Sequence, residues 1–204
     1  ELSGGKNAIS QLISRYAFSQ FCDFLENPRL EDVEKGIRFF RERNYDMVVA
    51  IGGGSVIDMA KWINILSAQT GELLDYVKGE KKVENKGKPL VAIPTTAGSG
   101  SEATHFAVVY ADKRKYSLVH DHILPAYVIL DPQLTTKLPP KITASTGMDA
   151  LSQAVESYWC VNSTDESKKY SEEAVKLILD YLEIAVKEPT EESLFNMIAD
   201  DFNQ

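Results

Sequence analysis

The spacing of apolar residues alternates between a helical and a strand-like pattern. Residues 31–44 place Val33, Ile37 and Phe40 at helical intervals, with acidic residues first and basic residues last, as the helix dipole favours. The apolar run at residues 46–51 has the length and composition of a buried strand. The pattern therefore predicts a helix followed by a strand.

The alternation continues beyond this first pair. Helical spacing returns at residues 55–67, and short apolar runs typical of strands occur at residues 90–93, 106–110 and 127–130. Strands that alternate with helices favour an open, largely parallel α/β sheet. We therefore predict an α/β fold for this part of the chain.

The pattern changes near Pro139. Two amphipathic stretches, residues 142–160 and residues 165–187, follow one another with no strand between them. We predict an α/β unit over residues 1–138 and the beginning of an all-helical unit over residues 139–204.

The composition is that of an ordinary globular chain. Of 204 residues, 44% are hydrophobic and 25% are charged, and the formal net charge of −8 disfavours nucleic acid as a partner. No apolar run approaches the roughly 20 residues of a membrane span. The two cysteines, Cys22 and Cys160, lack a metal-type spacing and indicate a reducing compartment. A cytoplasmic protein without a membrane partner is expected.

A glycine turn, GGGS at residues 52–55, joins the predicted strand to the next helix. Main-chain amides at a helix N-terminus attract anions, and glycine allows close approach to the backbone, so a diphosphate suits this turn. The spacing is neither G-x-G-x-x-G nor the P-loop signature. A tight turn without a ligand explains the segment equally well.

A hydroxyl loop, IPTTAGSGSEAT at residues 93–104, follows the second strand. Its hydroxyls and bare backbone suit hydrogen bonds to ribose and phosphate oxygens. Ligands of open α/β sheets bind beyond the carboxyl ends of the strands, so the hydroxyl loop and the glycine turn are expected to line one crevice. The alternative is a solvated surface turn.

Four motifs resemble the iron-containing alcohol dehydrogenase family, relatives of glycerol dehydrogenase and dehydroquinate synthase. They are AIGGGSVIDMAK, IPTTAGSGSEAT, LDPQLTTKLP and TGMDALSQAVESY, and the resemblance covers about residues 27–158. It implies a homodimeric oxidoreductase that uses NAD or NADP to interconvert a small aldehyde and its alcohol. It also implies a divalent metal, Fe²⁺ or Zn²⁺, between an α/β cofactor domain and a helical domain.

The resemblance assigns cofactor contacts to ten positions. Gly53, Gly54 and Ser55 match positions that bind the pyrophosphate, and Asp58 matches one that shapes the same helix start. The others line the groove (Thr95, Thr96 and Ser99) or lie near the adenosine (Asn27), the nicotinamide (Thr104) and its ribose (Lys115). Asp58 as an ordinary cap or dipole partner, and Lys115 as a solvated lysine, remain alternatives.

The expected metal-binding helix departs from the family pattern. Relatives carry an Asp and, four residues later on the same helical face, a His. Here Asp149 is present, but Gln153 replaces the histidine. We expect Asp149 and Gln153 as ligands of a weakly held metal, because an amide is a poorer ligand for Fe²⁺ or Zn²⁺ than imidazole; metal-free catalysis stays open. The chain's three histidines match no ligand position and are expected in surface or loop positions; they are His105, His120 and His122.

The runs GMDALSQAVESYW and NSTDESKKY resemble the branch that reduces phosphonoacetaldehyde to hydroxyethylphosphonate, in which glutamine also occupies position 153. A phosphonate dianion needs cations or helix N-termini facing the cleft. Lys113, Arg114, Lys115 and Lys141 have the right charge. A solvated basic loop is the better explanation for all of them except Lys115.

Two other functions stay open on this scaffold. A catalytically silent nucleotide-binding module is favoured by Gln153, and a lyase related to dehydroquinate synthase is disfavoured by the sequence of the hydroxyl loop. The family's first strand and ribose-gripping turn have no counterpart near Tyr16 and Ala17, so we expect missing segments there and after Gln204. The choice between NAD and NADP depends on that region and stays open.

Overall fold

A computed structural model describes residues 16–199. The expectation of missing segments near Tyr16 and Ala17 stays a prediction, and the one after Gln204 lies outside the described residues. In the α/β part, the elements are α1 (Leu30–Arg41), β1 (Val48–Gly52), α2 (Gly54–Ser67), α3 (Leu73–Val77), β2 (Leu90–Pro94), β3 (Phe106–Ala111), β4 (Arg114–Val119) and β5 (Tyr127–Val128). Three helices follow, α4 (Pro140–Trp159), α5 (Asp165–Lys187) and α6 (Glu191–Ala199).

The central sheet is parallel, as predicted, with the strand order β1-β2-β5. β1 and β2 are in register from the pair Val48–Leu90 to the pair Gly52–Pro94. Both strands therefore end at the same level, and the glycine turn and the hydroxyl loop leave the sheet side by side.

Strands β3 and β4 form a separate antiparallel ribbon, which the sequence analysis did not predict. The sequence favours a solvated basic loop for Lys113 and Arg114, but Asp112 and Lys113, at φ of 49° and 61°, form the tight turn of a hairpin, and Arg114 begins β4. β4 then alternates, with Tyr116 and Leu118 packed against the core and Lys115 exposed. The strand was missed because its charged residues occupy the solvent-facing positions.

The two larger apolar clusters among the described residues pack the helices against the ribbon and against one another. The first joins α1, α2 and the inner face of the ribbon around Trp62 and Val109, both fully buried. The second joins α4, α5 and α6, and it includes Ala97 from the hydroxyl loop, which packs with Ala150 and Ile178. The hydroxyl loop therefore lies against the helical part of the chain. Within residues 16–199, none of the helices combines the length and apolarity that crossing a bilayer demands.

Candidate cofactor site

The glycine turn and the hydroxyl loop are in contact. The Thr95 amide donates to the Gly52 carbonyl at 3.0 Å. A Cβ added to Gly54 would lie 2.8 Å from the Ser99 Cβ, and one added to Gly53 would lie 3.1 Å from the Thr96 Oγ1. A side chain at Gly54 would thus push the two segments apart, and one at Gly53 would crowd the Thr96 side chain. The prediction that these two segments lie side by side is confirmed, and a crevice between them that holds a ligand stays a prediction.

The start of helix α2 has the properties of an anion site. Its N-cap is Gly53, and no side-chain hydrogen bond caps it. The first amides of a helix have no carbonyl one turn earlier to bond, and the helix dipole adds a partial positive charge. The backbone at Gly54 and Ser55 can therefore receive a phosphate oxygen.

Asn27 lies beside this helix start, and its predicted place near the adenosine stays a prediction. Its backbone is left-handed, with φ of 61°, which asparagine tolerates better than most residues. Its amide donates to the Ser55 hydroxyl at 3.3 Å. The turn before α1 thereby approaches the start of α2, while the Asn27 side chain stays exposed.

The Asp58 carboxylate bonds to the hydroxyl loop and to β3. Its sequence position had suggested a role at the start of α2 instead. Its Oδ1 accepts from the Ser101 hydroxyl at 2.5 Å and its Oδ2 accepts from the Val108 amide at 2.9 Å. Burial raises the pKa of Asp58, while these two hydrogen bonds and the charges of Lys61 and Lys115 oppose the rise. The carboxylate therefore ties α2 to the hydroxyl loop and to β3.

The last two predicted positions border the same region. The Thr104 carbonyl accepts from Lys61 Nζ at 2.7 Å. Lys115 pairs with Tyr110 across the ribbon, and its side chain is exposed. Its positive charge nevertheless limits the rise in the pKa of Asp58. Both residues therefore lie near Asp58 and Lys61, beside the ribbon.

Lys61 is a site residue that the sequence analysis missed. It is 1% exposed, and its Nζ also donates to the carbonyls of Ser101 at 2.5 Å and Phe106 at 2.8 Å. Burial lowers the pKa of Lys61 to about 8, against the opposing charges of Asp58 and Glu102. A signal was present, because Lys61 is a single cation in an otherwise apolar stretch of α2, three residues after Asp58.

Glu102, next to Ser101, is also fully buried. It is 0% exposed, and neither carboxylate oxygen has a hydrogen-bond partner within residues 16–199. A buried carboxylate is costly without a neighbouring cation, and Lys61 is the cation whose pKa its charge affects. Asp58, Lys61 and Glu102 therefore form a buried cluster of ionisable side chains between α2 and the hydroxyl loop.

The lowered pKa of Lys61 makes stability depend on pH. The unfolded chain binds this proton up to the ordinary pKa of 10.5, whereas the folded chain loses it at about 8. Because the unfolded state binds more protons between these values, stability should rise by about 3 kcal/mol from pH 8 to pH 10.5. Urea unfolding of wild type and Lys61→Met across this range measures it. A rise of equal size in the variant would contradict the assignment.

The expected metal ligands lie on α4, facing the hydroxyl loop. Gln153 Nε2 donates to Asp149 Oδ2 at 3.0 Å and to the Gly98 carbonyl at 3.3 Å. Both neighbours are acceptors, so the amide nitrogen faces them. The part of the chain that the structure describes contains no group of three or more His, Cys, Asp or Glu side chains that could hold a metal.

The three histidines lie together at the base of the ribbon. His105 Nδ1 is 3.4 Å from Asp121 Oδ1, and the rings of His120 and His122 are 4.5 Å apart. His105 is exposed and the other two are half-buried. They lie outside the helix that carries Asp149.

Family models match most of the chain. The model of the iron-containing alcohol dehydrogenases matches residues 6–132, and the model of the C-terminal region of the Fe-containing alcohol dehydrogenase family matches residues 143–199. The gap between the two matches, residues 133–142, includes the change from α/β to helical structure.

Individual relatives agree with the family models. The chain is 40% identical over 173 residues to long-chain-alcohol dehydrogenase 1 of Geobacillus thermodenitrificans, covering 84% of this chain and 44% of the relative. It is 41% identical over 162 residues to the NAD-dependent methanol dehydrogenase of Bacillus methanolicus, covering 78% and 42%.

A solved structure gives the same result. The sulfoacetaldehyde reductase of Bifidobacterium kashiwanohense in complex with NAD⁺ superposes with a TM-score of 0.92 at 36% identity, covering 98% of this chain and 54% of that one. The chain thus spans about half the length of its relatives. From the family matches and this fold, the chain belongs to the iron-containing alcohol dehydrogenase family.

Proposed function

We propose that this chain is part of a nicotinamide-dependent alcohol dehydrogenase that transfers hydride between NAD or NADP and a small aldehyde or alcohol. The observation that carries the proposal is the contact between the glycine turn and the hydroxyl loop at the ends of β1 and β2, where Gly54 leaves no room for a Cβ. Relatives named as NAD-dependent or NAD⁺-bound support it.

The chain's own residues bind and orient the reactants. The α2 amides at Gly54 and Ser55 hold the pyrophosphate, and the hydroxyls of Thr95, Thr96 and Ser99 line the opposite wall of the groove. Asn27 lies at the adenosine end, and Thr104 and Lys115 lie at the nicotinamide end. The bound nicotinamide supplies or accepts the hydride, and a divalent metal, when bound, polarises the carbonyl oxygen.

The described residues fit a metal only in part. The Asp149 carboxylate is a suitable oxygen ligand, but an amide such as Gln153 can offer a metal only its neutral carbonyl oxygen, and its nitrogen donates to Asp149 and to the Gly98 carbonyl. We therefore propose that α4 supplies Asp149 as its principal ligand for Fe²⁺ or Zn²⁺, and that Gln153 coordinates weakly at most. In either case Gln153 fixes the Asp149 carboxylate relative to the hydroxyl loop.

Gln153→His in the full-length protein should strengthen metal binding at least about tenfold, because imidazole is a better ligand for Fe²⁺ and Zn²⁺ than an amide. The i,i+4 spacing keeps it on the same face as Asp149. Metal content after dialysis against a series of buffered Zn²⁺ concentrations measures the effect. Gln153→Asn is the matched control and should gain nothing; equal zinc affinity of wild type and the histidine variant would show that α4 does not face a metal.

An anionic aldehyde is the substrate class that we favour. The Bifidobacterium relative is named for sulfoacetaldehyde, a small aldehyde with an anionic head group, and phosphonoacetaldehyde has the same plan. Lys115 is an exposed cation whose charge acts on the buried carboxylate of Asp58. We propose that it faces the head group or the nicotinamide ribose.

Oxidation of NADH and of NADPH by the full-length protein tests the proposal, with and without added Fe²⁺ or Zn²⁺. The aldehyde panel contains phosphonoacetaldehyde, sulfoacetaldehyde and neutral aldehydes of equal length. Turnover is expected, with the anionic aldehydes preferred. Cofactor binding without turnover would support a silent nucleotide-binding module. Phosphate release from the substrate of a dehydroquinate synthase, without net oxidation of NADH, would support a lyase.

Location and assembly follow as further proposals. Cys22 and Cys160 are both free and exposed, which suits a reducing compartment such as the cytoplasm. A homodimer, and a boundary between cofactor and helical units near residues 138–139, remain expectations from the family resemblance. Light scattering of the full-length protein measures the first, and limited proteolysis the second.

A further inference from the structure

The buried ammonium of Lys61 contacts the end of the hydroxyl loop and the start of β3. Its three bonds reach the carbonyls of Ser101 at 2.5 Å, Thr104 at 2.7 Å and Phe106 at 2.8 Å. An ammonium has three donors, so these carbonyls use all of them. One side chain thus fixes the backbone across six consecutive residues.

Lys61 and Asp58 hold this segment together. Ser101 is bound twice, through its carbonyl by Lys61 and through its hydroxyl by Asp58. Asp58 also accepts from the Val108 amide, just beyond the last carbonyl that Lys61 binds. The backbone from 101 to 108 is therefore attached to one face of α2 by two side chains of opposite charge.

The same helix provides the other wall of the groove. α2 begins in the glycine turn at Gly54, and Lys61 lies two turns further along. Because a helix is rigid over this length, bonds from Lys61 to the hydroxyl loop fix the loop relative to the glycine turn. The groove width is thus set in part by a residue that does not line it.

We propose that Lys61 is a positioning residue for the cofactor groove, holding residues 101–106 at the distance from the glycine turn at which a dinucleotide binds. This inference rests on the proposed function of the same groove. Lys61 acts through the loop backbone and touches neither cofactor nor substrate.

The surrounding charges agree with this role. The groups that face Lys61 are the carboxylates of Asp58 on α2 and Glu102 in the loop, and both favour the charged ammonium. Lys115 on β4 influences Asp58 from the ribbon side. Without the ammonium, two carboxylates and three carbonyls would remain in a poorly solvated place, so the loop would shift toward water.

Lys61→Met in the full-length protein tests the inference, since methionine keeps the length and removes all three donors. The Kd for NADH, followed by nucleotide fluorescence, should rise about 10- to 100-fold, while kcat at saturating cofactor stays within about threefold. Ile65→Ala, one turn along and also 1% exposed, is the control for lost stability and should leave this Kd unchanged. A Lys61→Met protein that binds NADH as wild type does, or an equal loss in the Ile65 variant, overturns the inference.

A second measurement needs no destabilised variant. Because the Lys61 pKa is lowered to about 8, the wild-type Kd for NADH should rise as the pH passes from about 7 to about 9.5, since a neutral amine cannot serve three carbonyls. Lys61→Arg, which does not titrate in this range, should show a flatter profile. A wild-type Kd that is constant across this range also overturns the inference. Wild type that binds no dinucleotide at any pH defeats the proposed function instead.

Discussion

Gly98→Ala should cost at least about 3 kcal/mol of unfolding free energy, the largest loss that we expect from a single methyl group in this chain. Gly98 has φ of +107°, a conformation that L side chains rarely adopt, and an added Cβ would lie 2.1 Å from the Thr146 carbonyl oxygen. That oxygen belongs to the backbone of α4, so no side-chain rotation relieves the contact. Urea unfolding monitored by circular dichroism measures the loss.

The matched control is Gly79→Ala. Gly79 also has a positive φ, +74°, but its added Cβ would meet nothing within 4 Å. It therefore isolates the conformational cost and should lose only about 1 kcal/mol. If both variants lost the same amount, the close approach between the hydroxyl loop and α4 would be wrong.

Gly54→Ala should weaken NADH binding by at least about tenfold, or about 1.4 kcal/mol, without unfolding the protein. Gly54 begins α2, where alanine is a good residue, but its Cβ would lie 2.8 Å from the Ser99 Cβ. The Ser99 Cβ is attached directly to the backbone, so relief requires movement of the hydroxyl loop away from the glycine turn. Fluorescence titration of NADH measures the change.

The second-site variant Ser99→Gly, combined with Gly54→Ala, separates crowding from loss of the helix start. Glycine at position 99 removes both atoms that the new Cβ would meet, the Ser99 Cβ at 2.8 Å and Oγ at 3.0 Å. The double variant should bind NADH more tightly than Gly54→Ala alone. If Gly54→Ala binds as wild type does, the groove does not run between these two segments.

The main elements of the fold follow from the sequence because each is specified locally. The α1 prediction begins and ends within three residues of the observed helix, Leu30–Arg41, since apolar periodicity and end charges agree there. β1 and β2 are apolar runs bounded by glycine and proline. Their parallel pairing then places the glycine turn beside the hydroxyl loop.

The features that were missed depend on tertiary contacts. β4 presents Arg114 and Lys115 to solvent, and these charged residues mask the apolar alternation that predicts a strand. Later alternate residues of β4 are half-buried. Asp58 has the sequence position of a helix-start residue but reaches Ser101 and Val108, 43 and 50 residues away. Lys61 is similar, because only the fold brings three distant carbonyls to its ammonium.

The departure at Gln153 was visible in the sequence, but its local consequence was not. A missing histidine indicates weaker metal binding. It does not indicate that the replacing amide donates to Asp149 and to Gly98, which connects the proposed metal ligand to the hydroxyl loop. Gln153 therefore forms part of the contact between α4 and the hydroxyl loop, beside the proposed metal ligand.

The most direct test is a crystal structure of the full-length protein with NAD⁺, in which the distances from the pyrophosphate oxygens to the protein are measured. The account predicts oxygens within about 3 Å of the Gly54 and Ser55 amides on one side, with the hydroxyl loop on the other. A pyrophosphate bound elsewhere, or a glycine turn closed by its own neighbours in the complex, would contradict it.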